Sequence, residues 1–191
     1  MKTAVSALAL AAGLTLSLPL LAESRTAYGP QLEGFSYPHP LKHYRFGFQG
    51  KALEMAFMDV EPQGKANGRT ALLLHGKNFC GATWERTIEV LSQAGYRVIA
   101  PDQVGFCSSS KPEGYQFSFA QLAHNTQALL EQEDIEQVTV IGHSMGGMLA
   151  ARLALNYPQR VEQLVLVNPI GLEDWQAEGV PYASIDQLYQ S

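Results

Sequence analysis

The sequence predicts an α/β fold: a mostly parallel sheet of six strands with helices on both faces. Three observations carry that expectation. From residue 70 to residue 167, short apolar runs alternate with segments of helical periodicity. Residues 138–141, Val-Thr-Val-Ile, form an unbroken β-branched run of the kind found in strands covered on both faces. That run stops at Gly142-His143-Ser144-Met145-Gly146-Gly147, and helical periodicity begins at once, so a tight turn must join strand to helix.

The elements follow in order. Residues 43–48 and 53–60 read as strands separated by Gln49-Gly50, a pair suited to a hairpin turn. A polar turn precedes the apolar run Thr70–Leu74, which ends at His75-Gly76. Trp84, Ile88 and Leu91 recur at helical spacing over residues 83–94, with Thr83 expected as N-cap and Gly95 just past the end. Arg97–Pro101 is a short strand ending in Asp102. Ser118-Phe119-Ala120-Gln121 has capping-box form, and Phe119, Leu122, Ala123, Thr126, Leu129 and Leu130 line one helical face. The helix that starts at Ser144 must stop before Tyr157-Pro158. Val161–Val167 is a last apolar strand. Strands and helices alternating at these lengths imply right-handed parallel crossovers.

The chain has 191 residues, 46% of them apolar, enough for one core and one domain. A net charge of −5 gives no basic footprint for nucleic acid. Residues 1–22 form a secretory signal by pattern: Lys2, a charge-free stretch over residues 3–21, and a small residue, Ala22, before Glu23-Ser24-Arg25. Pro19 and the absence of a nearby cysteine argue against a membrane or lipid anchor. The expected location is periplasmic or secreted, with no membrane partner once the signal is cleaved. Residues 23–41 are a turn-rich lead-in that packs late or stays loose.

The chemistry centres on Ser144. A serine hydroxyl needs a neighbouring base and a group that accepts a developing oxyanion. Gly142 and Gly146 flank it where a tight turn leaves little room for side chains. The Met145 N–H opens the following helix, where the helix dipole favours negative charge. The loop after His75-Gly76 should supply a second oxyanion donor, Lys77 N–H first and Asn78 next. A phosphate-binding reading of residues 142–147 fails, because neither G-x-G-x-x-G spacing nor a following Lys-Ser/Thr is present. There is no Cys/His cluster for zinc, and neither a metal nor an organic cofactor is implied. The partner expected is a small-molecule substrate.

Four motifs together resemble the α/β-hydrolase family: His75-Gly76, Pro101-Asp102-Gln103-Val104-Gly105, the Gly142-to-Gly147 elbow, and Leu164-Val165-Leu166-Val167-Asn168. The resemblance spans roughly residues 42–168, the first six of the family's eight strands. It implies a serine hydrolase acting through an acyl-enzyme on an ester, amide or C–C substrate. It argues against dehalogenases and epoxide hydrolases, which carry aspartate where Ser144 stands. His75 is then a brace for its loop, not the base, because the family places its base after the serine. His143 should point away from Ser144.

One departure matters. In the family the triad acid follows the seventh strand and the histidine the eighth. Here all the histidines, His39, His43, His75, His124 and His143, precede Ser144. Asn168 cannot ionise, and Asp174 and Asp186 fall where the family begins its cap, so neither is expected as the acid. The expectation is a chain cut short at its C-terminus, with a hydrolase core over residues 42–170, the opening of a lid over residues 171–191, and no activity as it stands. A non-catalytic binding protein that keeps the fold is the alternative. In a chain cut short, the strand Val161–Val167 would be an apolar edge that drives self-association. Cys80 and Cys107 follow strands that are neighbours in the family. Either they form a disulfide that stiffens the oxyanion loop, or they are two unpaired small hydrophobes.

Overall fold

A computed structural model describes residues 27–172. The expected signal segment and nearly all of the expected lid lie outside the described residues. Strands β1 (Leu41–Phe48) and β2 (Lys51–Val60) form an antiparallel hairpin. Its two turn residues, Gln49 (φ 51°) and Gly50 (φ 69°), are both left-handed, which matches the strand twist. Then come β3 (Thr70–Leu74), a 3₁₀ turn (Gly81–Trp84), α1 (Glu85–Gln93), β4 (Arg97–Pro101), α2 (Phe119–Gln132), β5 (Val138–His143), α3 (Met145–Asn156) and β6 (Val161–Val167).

The six strands lie in the order β1-β2-β4-β3-β5-β6. Strand β4 is antiparallel to β2, and the β4-β3-β5-β6 stretch is parallel. From β3 the chain passes first to β4 on one side and then to β5 on the other. That reversal opens a crevice at the C-terminal ends of β3 and β5, the place where sheets of this kind hold ligands.

Strand alternation splits the core between two faces. Leu72, Leu74, Met55, Phe57 and Ile99 pack with Leu122, Leu129 and Leu130 of α2 and Leu149 and Leu153 of α3. Leu73, Met58, Val60, Val98 and Ala100 point the other way and pack with Ile88 of α1. Helices therefore cover both faces. No helix among the described residues is long and apolar enough to cross a membrane.

Three local expectations change. Thr83 is not an N-cap: it sits inside the 3₁₀ turn, its hydroxyl donates to the Cys80 carbonyl (2.7 Å), and Trp84 holds the cap position with no side-chain bond. The cause is Gly81, whose N–H donates to Asp102 Oδ1 (2.7 Å), so coiling begins before Thr83 is reached. The capping box at α2 forms only by half. Ser118 Oγ accepts the Gln121 N–H (3.1 Å), while the Gln121 side chain donates to Asn125 Oδ1 instead (2.8 Å). The described part of the lead-in, residues 27–41, is docked and not loose: Tyr28, Phe35 and Tyr37 pack edge-to-face in series, and the Tyr37 hydroxyl donates to Asp102.

Candidate active site

Ser144 occupies the single-residue turn between β5 and α3, at φ 54° and ψ −117°. A non-glycine residue pays for that conformation, and it persists only where neighbours enforce it. Two backbone hydrogen bonds help do so: Ser144 N–H donates to Val167 O (3.1 Å), and Ile170 N–H donates to Ser144 O (3.3 Å). The end of β6 thus braces the turn.

Glycines let the surrounding segments close on it. A Cβ on Gly142 would stand 2.3 Å from Gly146 O, and one on Gly146 would stand 2.1 Å from Leu74 O. Both approaches are closer than any side chain tolerates, so α3 packs directly on the turn and on the end of β3. A Cβ on Gly76 would lie 3.0 Å from His143 Nδ1 and 3.2 Å from Ser144 Cβ. The loop that carries Lys77 therefore rests against the serine turn. The structure brings Ser144, Met145 and the 76–77 segment together.

Met145 is the first residue of α3, so helix geometry offers its N–H no acceptor within the helix. Among the described residues, no hydrogen bond engages the Lys77 or Met145 N–H. Two backbone donors without an acceptor among the described residues thus lie in the segments that adjoin the Ser144 turn. That arrangement can stabilise negative charge on a bound oxygen.

His75 is fully buried at the end of β3. Its Nε2 accepts the Gln103 N–H (3.0 Å), and its Nδ1 lies 2.9 Å from Gly76 O. An acceptor at Nε2 and a carbonyl at Nδ1 assign the neutral tautomer protonated on Nδ1. Burial pushes its pKa below the ordinary histidine value, despite the Gly76 hydrogen bond and the charge of Asp102. With both nitrogens engaged inside the fold, it braces the loop and has none to offer Ser144. His143 shares no hydrogen bond with Ser144 among the described residues. Its ring meets Phe79 edge-on, with centroids 6.0 Å apart, in a cavity of about 220 Å³ that His75, Thr83 and Trp84 also line. A larger open groove, about 890 Å³, follows the β1–β2 hairpin and touches none of these residues.

Cys80 and Cys107 are joined as a disulfide, with Cα atoms 5.8 Å apart. It ties the loop after β3 to the loop after β4. Asp102 and Tyr37 are what reading the sequence missed. Asp102 appears there only as part of a motif, yet its buried carboxylate accepts three hydrogen bonds, from Gly81 N–H, Ser108 N–H and the Tyr37 hydroxyl. Burial and then the Asp102 hydrogen bond push the Tyr37 hydroxyl pKa far up, so it stays a donor. Tyr37 stands 65 residues from Asp102, and no local pattern signals that pairing.

A family model described as the alpha/beta hydrolase fold matches residues 71–190. The AB hydrolase superfamily protein YfhM of Bacillus subtilis is 38% identical over 112 residues, which is 58% of this chain and 39% of that protein. A putative carbamate hydrolase, RutD of Yersinia enterocolitica, is 32% identical over 137 residues, 71% of this chain and 48% of that protein. The crystal structure of a probable hydrolytic enzyme from Pseudomonas aeruginosa PAO1 superposes with a TM-score of 0.79 at 65% identity, covering 85% of this chain and 52% of that one. The chain thus spans about half or less of the length of these relatives. The turn at Ser144, the sheet order and the sequence match agree: this chain belongs to the α/β-hydrolase family.

Proposed function

We propose that Ser144 is the nucleophile of a serine hydrolase that acts on an ester, amide or C–C substrate through an acyl-enzyme. The observation that carries this reading is the left-handed Ser144 held between β5 and α3, with two N–H groups that lack an acceptor among the described residues in the adjoining segments. In the reaction, Ser144 Oγ attacks the carbonyl carbon, and the Met145 and Lys77 N–H groups take the oxyanion. The leaving group departs with a proton, and water then releases the acyl group. A base must accept the Ser144 proton in the first step. No described imidazole or carboxylate hydrogen-bonds Ser144, so the 191-residue chain by itself is proposed to be inactive or nearly so.

Labelling by a fluorophosphonate, read by intact mass and peptide mapping, tests this with imidazole added as an external base. The expected result is labelling at Ser144 that rises with imidazole and vanishes in Ser144→Ala. A Ser144 that stays unlabelled at every imidazole concentration would overturn the reading. It would favour a non-catalytic binding protein that keeps the fold.

We further propose export through residues 1–22. Their composition supports this, and a disulfide between Cys80 and Cys107 suits an oxidising compartment. N-terminal sequencing of the mature chain should begin after Ala22.

A further inference from the structure

The disulfide is not the only tie between the loops that follow β3 and β4. Asp102, buried at the end of β4, accepts the Gly81 N–H at Oδ1 (2.7 Å) and the Ser108 N–H at Oδ2 (3.0 Å). Those donors are the residues directly after Cys80 and Cys107. The Tyr37 hydroxyl is a third donor, to Oδ2, and comes from the docked lead-in. On the same loop, Ser109 Oγ donates to the Asp102 carbonyl (2.6 Å). The two sulfurs and the Asp102 carboxylate all lie within 4.8 Å of one another. One carboxylate and one covalent bond thus span the same gap between the same two loops.

We propose that Asp102, assisted by Tyr37, is a positioning residue that holds the oxyanion loop, residues 76–81, in parallel with the disulfide. The loop keeps its place when the disulfide is reduced and loses it only when both ties are gone. This rests on the reading of that loop as the oxyanion loop.

The physical grounds are direct. Hydrogen bonds to an ionised carboxylate are stronger than neutral ones. A buried carboxylate stripped of its donors is costly, so the fold keeps Gly81 and Ser108 where they are. Cys107 sits at φ 45°, a left-handed conformation that needs such support from its neighbours. Reduction by a dithiol such as dithiothreitol delivers two electrons and two protons. The Cys80–Cys107 bond becomes two thiols, and the reductant leaves as its own cyclic disulfide. With Asp102 in place the thiols stay close together, and the disulfide re-forms readily. By linkage, whatever holds the loops together also makes the disulfide harder to reduce.

The test is a redox titration of the oxidised 191-residue chain, Asp102→Asn and Tyr37→Phe in dithiothreitol buffers, with thiols counted by mass. Hydrogen exchange at residues 77–81 is followed in both redox states. Asp102→Asn should make the disulfide at least tenfold easier to reduce, about 30 mV for this two-electron couple. Tyr37→Phe should shift it at least threefold in the same direction. Reduction alone should leave exchange at residues 77–81 nearly unchanged in the parent, and should raise it tenfold or more in Asp102→Asn. Equal potentials in all three chains, or an equal rise in exchange on reduction with and without Asp102, would overturn the proposal. If Asp102→Asn does not fold, Tyr37→Phe decides it alone: an unshifted potential refutes the clamp. Neither readout needs Ser144 to react, and Ser144→Ala should titrate like the parent, so a failed labelling experiment and a failed clamp are separate results.

Discussion

Strands β5 and β6 are parallel neighbours with similarly apolar sequences, yet the fold treats them differently. Val140 of β5 is fully buried, whereas Leu164 and Val165 of β6 are 40% and 42% exposed. The cause is their place in the sheet. Among the described residues, β5 lies between β3 and β6, while β6 pairs with β5 alone. An apolar run therefore announces a strand but not how many neighbours it will have. The serine turn depends on both: β5 delivers Ser144, and the exposed β6 supplies the carbonyl of Val167 that accepts its N–H.

The most severe way to break this contrast is at the interior strand's junction with α3. A Cβ at residue 146 would meet the Leu74 carbonyl at 2.1 Å, and the backbone there cannot yield. Gly146→Val should cost about 4 kcal/mol or more in chemical denaturation, in the class of severe core disruptions. A stable Gly146→Val chain would show that α3 is less tightly seated than the geometry says.

A chemically matched pair sharpens the comparison further. Val140→Ala should cost about 2 kcal/mol, whereas Val165→Ala should stay within about 0.5 kcal/mol. Equal costs would mean that β6 is covered in solution, by self-association or otherwise.

The next effect is that of pH. Folding depresses the His75 pKa, so below about 6.5 the unfolded chain binds a proton that the folded chain refuses. Stability should fall as pH drops from 7 toward 5, by up to about 1.4 kcal/mol per pH unit from this group. Above pH 7 the group contributes no slope. Melting temperatures across that range should decline less steeply in His75→Gln, after allowance for its own baseline loss. Parallel curves would rule out His75 as the source.

The smallest change in stability belongs to β6 itself. Val165→Lys should alter unfolding by no more than about 0.5 kcal/mol, since the residue is largely outside the core. It should nevertheless reduce self-association measured by sedimentation, because a charge blunts an apolar edge. A parent chain that is already a monodisperse monomer would remove the expectation.

Much of the fold was legible because its signals are local. The six strands, the hairpin turn at Gln49-Gly50, the stop before Pro158 and the strand–turn–helix around Ser144 all follow from periodicity and from residues with restricted or permissive backbones. Thr83 misled because its cap role was overridden at a distance, by Asp102 drawing in the Gly81 N–H. The half-formed capping box failed for a similar reason, with Asn125 offering Gln121 a different partner. In the candidate site, Ser144, Met145 and Lys77 could be named from motifs. The Tyr37–Asp102 pairing could not, since nothing near either residue encodes the other.

By itself the sequence determined the kinds of elements, their order and the serine turn, because side-chain period and glycine placement act within a few residues. Only the tertiary structure decided which nitrogen of His75 carries the proton and which carboxylate gathers the two cysteine loops. Those outcomes depend on desolvation and hydrogen-bond partners that meet only when residues far apart in the chain are packed against one another.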